Sequence, residues 1–278
     1  MTDLPKRSIT AILFAAIVLL FVYFSFYSFL LLLIGIILGS IWELQNLFEK
    51  AQWTIDRKYL WIKTLLSILL IIYPVFDNQH SVWHTFYFTF LLLSGELFTE
   101  FLFRKNFAQS IAEFFILLYV WIFLTSALDV FYFANAQQYH LYYPLTIVFL
   151  IWTNDTFAYL IGRLFGKHKL MPNVSPKKSI EGLTGGLIFS LLTGFLMYTY
   201  FLSDKSHWSI TDSISICLIV SIVGTIGDLI ESKLKRMAHV KDSGCILPGH
   251  GGLLDRFDAW FLSIPAIDLY FQIKQWFG

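Results

Sequence analysis

The residues of this chain best equipped for chemistry gather toward its C-terminal end. One apolar run closes on Gly224-Thr225-Ile226-Gly227-Asp228-Leu229-Ile230-Glu231-Ser232 and continues into Lys233-Leu234-Lys235-Arg236 and Lys241-Asp242-Ser243-Gly244. Leu247-Pro248-Gly249-His250-Gly251-Gly252 follows, and the next apolar run opens on Asp255-Arg256-Phe257-Asp258. On a helix Asp228, Ser232 and Lys235 fall at i, i+4 and i+7 and share one face, as do Asp255 and Asp258 at i and i+3. Carboxylates clustered without His or Cys partners suit a hard cation such as Mg²⁺, which takes oxygen ligands. Lysines and arginines beside them suit phosphates. The turn from Gly249 to Gly252 lets backbone N–H groups approach an anion, and the helix N-terminus after it adds its positive dipole end. Together these are the parts needed to handle a polyphosphate.

Each part alone has a plainer explanation. A Gly-Gly turn is usually only a turn, and a basic loop beside a membrane span is usually only topology. The weight lies in their convergence within roughly thirty residues. His250 stays open: it could donate to a phosphate, relay a proton or merely hold its loop. A second polar segment lies upstream: Asn154-Asp155, Ala158-Tyr159, Gly162-Arg163, Gly166-Lys167, Ser175-Pro176-Lys177-Lys178-Ser179, Glu181-Gly182 and Gly185-Gly186. Asp155 sits inside an apolar run, where an uncompensated carboxylate costs about 2.5–3.5 kcal/mol or more. It is tolerated there if it faces a polar cavity and meets a cation; the alternative is a structural pair with a basic residue on a neighbouring helix.

The elements that must position these residues are membrane helices. Of 278 residues, 57% are hydrophobic, 19% aromatic and only 14% charged, against about 25% charged in an ordinary soluble domain. That is too little charge for the shell of a soluble enzyme and too much apolar residue for a disordered chain. Two cysteines, Cys217 in an apolar run and Cys245 in a polar loop, make no disulfide framework. A near-neutral net charge of +1 gives no bulk attraction to nucleic acid, so none is expected as a partner.

A helix needs roughly 20 apolar residues to cross the hydrocarbon core. The apolar runs lie at about 8–24, 28–47, 59–76, 82–102, 108–128, 143–162, 182–202, 213–231 and 254–273. The fold expected is therefore all-α: one polytopic membrane domain, residues 1–278, with about nine transmembrane helices. Spans 1–5 fill residues 1–142, and spans 6–9 with loops 163–181 and 232–253 form the catalytic part, 143–278. On this count 16 basic residues fall in the N-terminal lead and the loops after spans 2, 4, 6 and 8, while the opposite side holds two, Lys205 and Lys274. The positive-inside rule then puts the N-terminus in the cytoplasm and the C-terminus on the far side. The lead Met1 to Arg7 reads as the start of a first span, not a removed signal peptide. Lys63, inside span 3, reads as a side chain snorkelling to the cytoplasmic interface.

The stretch Ser232 to Asp258 resembles the signature of phosphatidate cytidylyltransferases, also called CDP-diacylglycerol synthases. Ser232, Lys235, Arg236, Lys241, Asp242, Gly244, Pro248, His250, Gly251, Gly252, Asp255, Arg256 and Asp258 fill its places. The upstream Asp155, Ala158-Tyr159, Gly-Arg, Gly-Lys and Ser-Pro-Lys-Lys segment is similar too, with Ser179 where the family commonly has threonine. The likeness is strong over roughly residues 143–260; the first five spans match only in length and hydropathy.

The resemblance implies transfer of a cytidylyl group from CTP to phosphatidic acid, giving CDP-diacylglycerol and pyrophosphate. It implies Mg²⁺, with a second divalent or a monovalent cation left open, held by Asp228 and Asp255, with Asp258 and Asp155 next. Asp228, Asp255, Asp258, Lys235 and Arg256 are the expected catalytic groups. Lys177, Lys178, Ser232, Arg236, Lys241, His250, Gly251 and Gly252 are the expected contacts to CTP and the lipid phosphate. The partners expected are CTP, phosphatidic acid and the bilayer, in a bacterial plasma membrane with the site facing the cytoplasm; a homodimer is left open. Two other readings remain: a CTP-dependent polyprenol or phytol kinase, and more remotely a transporter using its intramembrane aspartates as a relay.

Overall fold

The computed structural model describes residues 3–77, 90, 94, 107–132, 140–203, 208–247, 249 and 251–277. Most of span 4, with Trp83, Arg104, Lys105, Lys205, Pro248 and His250, lies outside the described residues. The helices are α1 (Asp3–Phe24), α2 (Phe26–Lys50), α3 (Arg57–Asp77), α4 (Phe107–Phe131), α5 (Tyr142–Phe165), α6 (Ile180–Met197), α7 (Ile210–Met237) and α8 (Leu254–Phe277). A π-helical turn, Tyr198–Leu202, extends α6. Between α5 and α6 runs a short antiparallel hairpin, β1 (Lys169–Met171) with β2 (Ser175–Ser179), an addition to the all-helical expectation.

Local chemistry sets several boundaries. The weak interruption after the first apolar run is a helix break at Ser25, whose extended backbone carries a capping box. The Ser25 hydroxyl accepts from Ser28 N–H at 3.2 Å, and the Ser28 hydroxyl accepts from Ser25 N–H at 3.0 Å. Two orphan helix donors are thereby satisfied. Ser179 caps α6 with a single bond, its hydroxyl accepting from Gly182 N–H at 3.1 Å. Serine and threonine both serve at this position, so the departure from threonine at 179 keeps the cap.

Among the described residues, five segments are long and apolar enough to cross a membrane: Phe26–Lys50, Gln109–Phe131, Tyr142–Phe165, Ile180–Leu202 and Ile210–Met237. A shorter apolar helix, Ser8–Phe24, precedes them. Helix α8 is not among the five because it carries Asp255, Arg256, Asp258, Asp268 and Lys274. It nonetheless packs against α7, α4 and α2 and buries Phe257, Trp260, Phe261, Ile264 and Ile267. Of its charges, Asp255, Asp258 and Asp268 are partly buried, whereas Arg256 and Lys274 are exposed. Lys63 differs from its snorkelling expectation: it is buried, and its ammonium lies 3.9 Å above the Tyr59 ring, where a cation–π contact offsets lost hydration.

Two close helix approaches place the polar residues. Helices α5 and α6 meet along small residues. A Cβ on Gly182 would come 2.7 Å from the Ala158 carbonyl, and one on Gly186 2.7 Å from Asn154 Oδ1. Helices α7 and α8 meet at Gly227, where a Cβ would lie 2.6 Å from the Asp258 carbonyl. This is the small-residue packing by which membrane helices bring backbones together. Here it sets Asp155 on α5, Asp228 on α7 and Asp258 on α8 around one space.

Candidate active site

That space is a cavity of about 680 Å³, bounded by the C-terminal half of α5, the β1–β2 hairpin, the start of α6, α7 around Asp228 and the first turn of α8. Its volume is in the range of pockets for drug-sized ligands. Asp155, Asp228, Asp255 and Asp258 line it, and so do the cations Arg163, Lys169, Lys177, Lys178 and Arg256. Carboxylates from three helices thus face basic groups from a hairpin and two helix ends.

The carboxylates are not equivalent. One oxygen each from Asp228, Glu231 and Asp258 lies within 4.8 Å of the others. Glu231 is buried and pairs with Lys235 one turn further along α7. Three oxygen donors at that separation fit a small hard cation. Sequence reasoning left Glu231 out of the site. The signal was present, since Glu231 lies at i+3 from Asp228 and so shares its face with Ser232 and Lys235.

Asp255 sits differently from its expected place as a principal metal ligand. Its Oδ2 accepts from Ser243 N–H at 2.9 Å, Ser243 Oγ–H at 3.0 Å and Gly252 N–H at 2.8 Å, and its Oδ1 meets Lys235 Nζ at 2.5 Å. These donors occupy both oxygens and tie the loop to the start of α8. Asp155 opens onto the cavity and is placed to interact with Asp228, Lys178 and Arg256, although it stands apart from the three-carboxylate group.

The cations divide in the same way. Lys178, on β2, reaches Asp228 Oδ2 at 2.5 Å and donates to the Thr225 carbonyl at 3.4 Å. Lys177 lies exposed on the same wall. Lys235 does not line the cavity; it bridges Glu231 and Asp255. Arg236 points to the hairpin and donates from Nε to the Val174 carbonyl at 3.3 Å. Lys241 is exposed in the loop, away from the cavity lining. Ser232 donates to Asp228 Oδ1 at 3.2 Å, fixing that carboxylate. Arg163 and Lys169 belong to the lining but were not among the site residues expected from sequence.

In the loop before α8, Gly251 has φ +87°, a left-handed conformation suited to glycine. Its carbonyl accepts from Leu247 N–H at 3.0 Å, closing the turn. Gly252 is buried, and a Cβ there would collide with the Ser243 hydroxyl and the Glu43 carboxylate. Sequence reasoning took Glu43 for part of an apolar span. It lies on α2 with no exposed surface, and its partners are in this loop.

Comparison with known proteins agrees with the geometry. A family model described as the cytidylyltransferase family matches residues 5–274. The chain belongs to that family. Proteins named phosphatidate cytidylyltransferase are similar over part of their length. That of Staphylococcus haemolyticus is 45% identical over 138 residues, which is 50% of this chain and 52% of the relative. Those of Staphylococcus saprophyticus and Staphylococcus aureus are 44% and 43% identical over the same shares. The matched stretch therefore spans about half the length of these curated relatives, whereas the family likeness reaches nearly from end to end of the chain.

Proposed function

We propose that this chain transfers a cytidylyl group from CTP to phosphatidic acid, giving CDP-diacylglycerol and pyrophosphate. One observation carries the reading: Asp228 and Asp258, two members of the three-carboxylate group completed by the buried Glu231, line a cavity that Lys177, Lys178, Lys169 and Arg163 also line. Family membership and the names of the Staphylococcus relatives support it. The setting we propose is a bacterial plasma membrane crossed about nine times, with the N-terminus and the cavity on the cytoplasmic side, where CTP is available. The diacylglycerol tails remain in the bilayer while the phosphate enters between α5, α7 and α8.

Asp228, Glu231 and Asp258 would hold Mg²⁺, with Asp155 beside them. When bound, the ion neutralises phosphate oxygens and favours in-line displacement. The lipid phosphate is already an anionic nucleophile near neutral pH, so the protein needs no strong base. Its oxygen bonds to the α-phosphorus of CTP as the bond from that phosphorus to the bridging oxygen breaks, and pyrophosphate leaves with the electron pair. The chain's own work is to bring two anions together and meet the charge that develops. Lys178, paired with Asp228, and Arg256 would meet the α-phosphate; Lys177, Lys169 and Arg163 would meet the rest of the triphosphate or the lipid phosphate. Ser232 orients Asp228, and Lys235 and Asp255 hold α7 and the loop in register.

The test is purified protein with phosphatidic acid and CTP radiolabelled in the α-phosphate, with and without Mg²⁺. Labelled CDP-diacylglycerol and unlabelled pyrophosphate, formed only with the metal, are expected. In a parallel reaction with a polyprenol in place of phosphatidic acid, CDP as the sole nucleotide product, with the γ-phosphoryl group passed to the polyprenol hydroxyl, would move the chain to the kinase reading.

A further inference from the structure

Glu43 is a carboxylate in the middle of an apolar helix, far in sequence from every signature residue. Its side chain is fully buried, a costly place for a charge unless donors surround it. Its donors all come from the loop and helix that carry the signature. Oε1 accepts from Leu253 N–H at 2.8 Å. Oε2 accepts from Leu254 N–H at 2.7 Å and from the Ser243 hydroxyl at 2.8 Å. Leu254 is the first residue of α8. Glu43 therefore satisfies N–H groups left orphaned at that terminus and lies at the positive end of the helix dipole.

The loop is shaped around this carboxylate. A Cβ on Gly244 or on Gly252 would strike it. Ser243 is shared: the hydroxyl that donates to Glu43 also donates to Asp255 Oδ2 at 3.0 Å. Asp255 in turn meets Lys235, which pairs with Glu231 of the three-carboxylate group. A continuous chain of contacts thus runs from α2 through Ser243, Asp255 and Lys235 to Glu231. A second route is shorter. Glu43 fixes the first turn of α8, and Asp258 lies one turn along that helix.

We infer that Glu43 is the positioning residue of the active site, the point at which the N-terminal helices set the register of α8 and hence of Asp258 and Arg256 against α7. It touches no substrate and acts through the α8 N-terminus. This inference rests on the proposed cytidylyl transfer for its kinetic arm and on metal binding alone for the other.

The test is Glu43→Gln, which keeps shape and volume. Whichever way the amide turns, one acceptor oxygen becomes an NH₂ group facing an N–H or O–H donor. Three quantities are measured on purified wild type and variant: Mn²⁺ affinity by electron paramagnetic resonance without nucleotide, kcat and KM for CTP, and thermal unfolding in detergent. The expected result is a folded variant with Mn²⁺ affinity weakened about tenfold or more, kcat lowered by a similar factor and KM for CTP within about twofold of wild type. A folded variant with wild-type Mn²⁺ affinity and kcat would overturn the inference, as would a loss of kcat matched only by loss of folded protein. Ser243→Ala covers the case in which Glu43→Gln does not fold. It removes one donor shared by Glu43 and Asp255 and leaves both backbone contacts. A Mn²⁺ affinity weakened severalfold supports the inference, and an unchanged affinity overturns it. If wild type binds Mn²⁺ but makes no CDP-diacylglycerol, the proposed activity fails, while the metal-affinity comparison still decides the role of Glu43.

Discussion

Lys178 on β2 lies 2.5 Å from Asp228 on α7. This ion pair joins the hairpin wall to the carboxylate group across the cavity, so the hairpin is part of the site and not a linker. The lysine is only partly exposed, with 22% of its side chain accessible. It is close enough to Asp228 to balance that charge and open enough to exchange it for a phosphate oxygen. Lys178→Gln removes the charge and keeps most of the stem. Cytidylyl transfer is expected to fall about tenfold or more, because a charge-assisted contact at this depth contributes roughly 1.5–3 kcal/mol. Steady-state kinetics on the purified variant check this, and a rate within twofold of wild type would remove Lys178 from the site.

Asp258→Asn tests the three-carboxylate group most directly. Asn keeps the volume and one acceptor but loses the charge, so a hard divalent cation loses a ligand. Activity is expected to fall at least 100-fold, taking the effect of losing only an outer-shell partner, roughly 10–100-fold, as the lower guide. Mn²⁺ binding should weaken in parallel while the thermal unfolding midpoint stays near wild type. Glu231→Gln is expected to lose activity and Mn²⁺ binding in the same way, but with a lowered unfolding midpoint, because it also breaks the buried pair with Lys235. Asp255→Asn separates the roles. It should lower stability as well as activity, because Asp255 holds Ser243, Gly252 and Lys235. A variant that lost metal affinity at unchanged stability would return Asp255 to the metal site.

Lys235→Met leaves Glu231 and Asp255, both largely buried, without their shared cation. Removing one partner of a buried ion pair typically costs about 3–5 kcal/mol. A large fall in the unfolding temperature in detergent is expected, with Lys235→Arg recovering part of it. An unchanged midpoint would show that water or another cation already compensates these carboxylates.

How much of this was legible in the sequence depends on the length scale of each signal. Helix spans follow from local hydropathy: five of the apolar runs coincide with helices long enough to cross a membrane, and the gap between the first two runs falls at the break at Ser25, although its cap was not read. The face shared by Asp228, Ser232 and Lys235 follows from the helical period, and the Ser232–Asp228 bond at 3.2 Å realises it. The same arithmetic reaches Glu231 and was not carried to it. Other features are set by contacts across the chain that no local pattern encodes. Glu43 lies in an apolar run, and its donors come from 200 or more residues downstream. Asp255 and Asp258 look interchangeable by spacing, yet the fold gives one to the loop and the other to the carboxylate group. The hairpin was hidden in a segment read as a loop, although its Lys177 and Lys178 were expected to contact substrate; the Lys63–Tyr59 contact, by contrast, lies at i, i+4 on one helix and was within reach of the same arithmetic.

Gly227→Ala tests whether the helix approach itself matters. The added Cβ would lie 2.6 Å from the Asp258 carbonyl, against backbone that cannot swing aside as a side chain can. Helices α7 and α8 must part, and Asp228 moves away from Asp258. Overpacking of this kind costs roughly 1–3 kcal/mol, and activity is expected to fall further than stability does, because metal ligation tolerates less displacement than packing.

The opposite end of the same helix pair supplies the comparison. Asp212 near the start of α7 is fully buried and meets Lys274 at 2.7 Å and the Tyr270 hydroxyl at 2.8 Å, both on α8. These contacts join the two helices as the Lys235 pairs do at the other end, but they lie far along both helices from the cavity. Lys274→Met should therefore lower the unfolding temperature while kcat, KM for CTP and Mn²⁺ affinity stay within about twofold of wild type. Gly227→Ala should show the reverse balance. If Lys274→Met instead weakened Mn²⁺ binding as strongly as Gly227→Ala, the α7–α8 pair would be moving as one rigid lever, and the close approach at Gly227 would not be what sets the site.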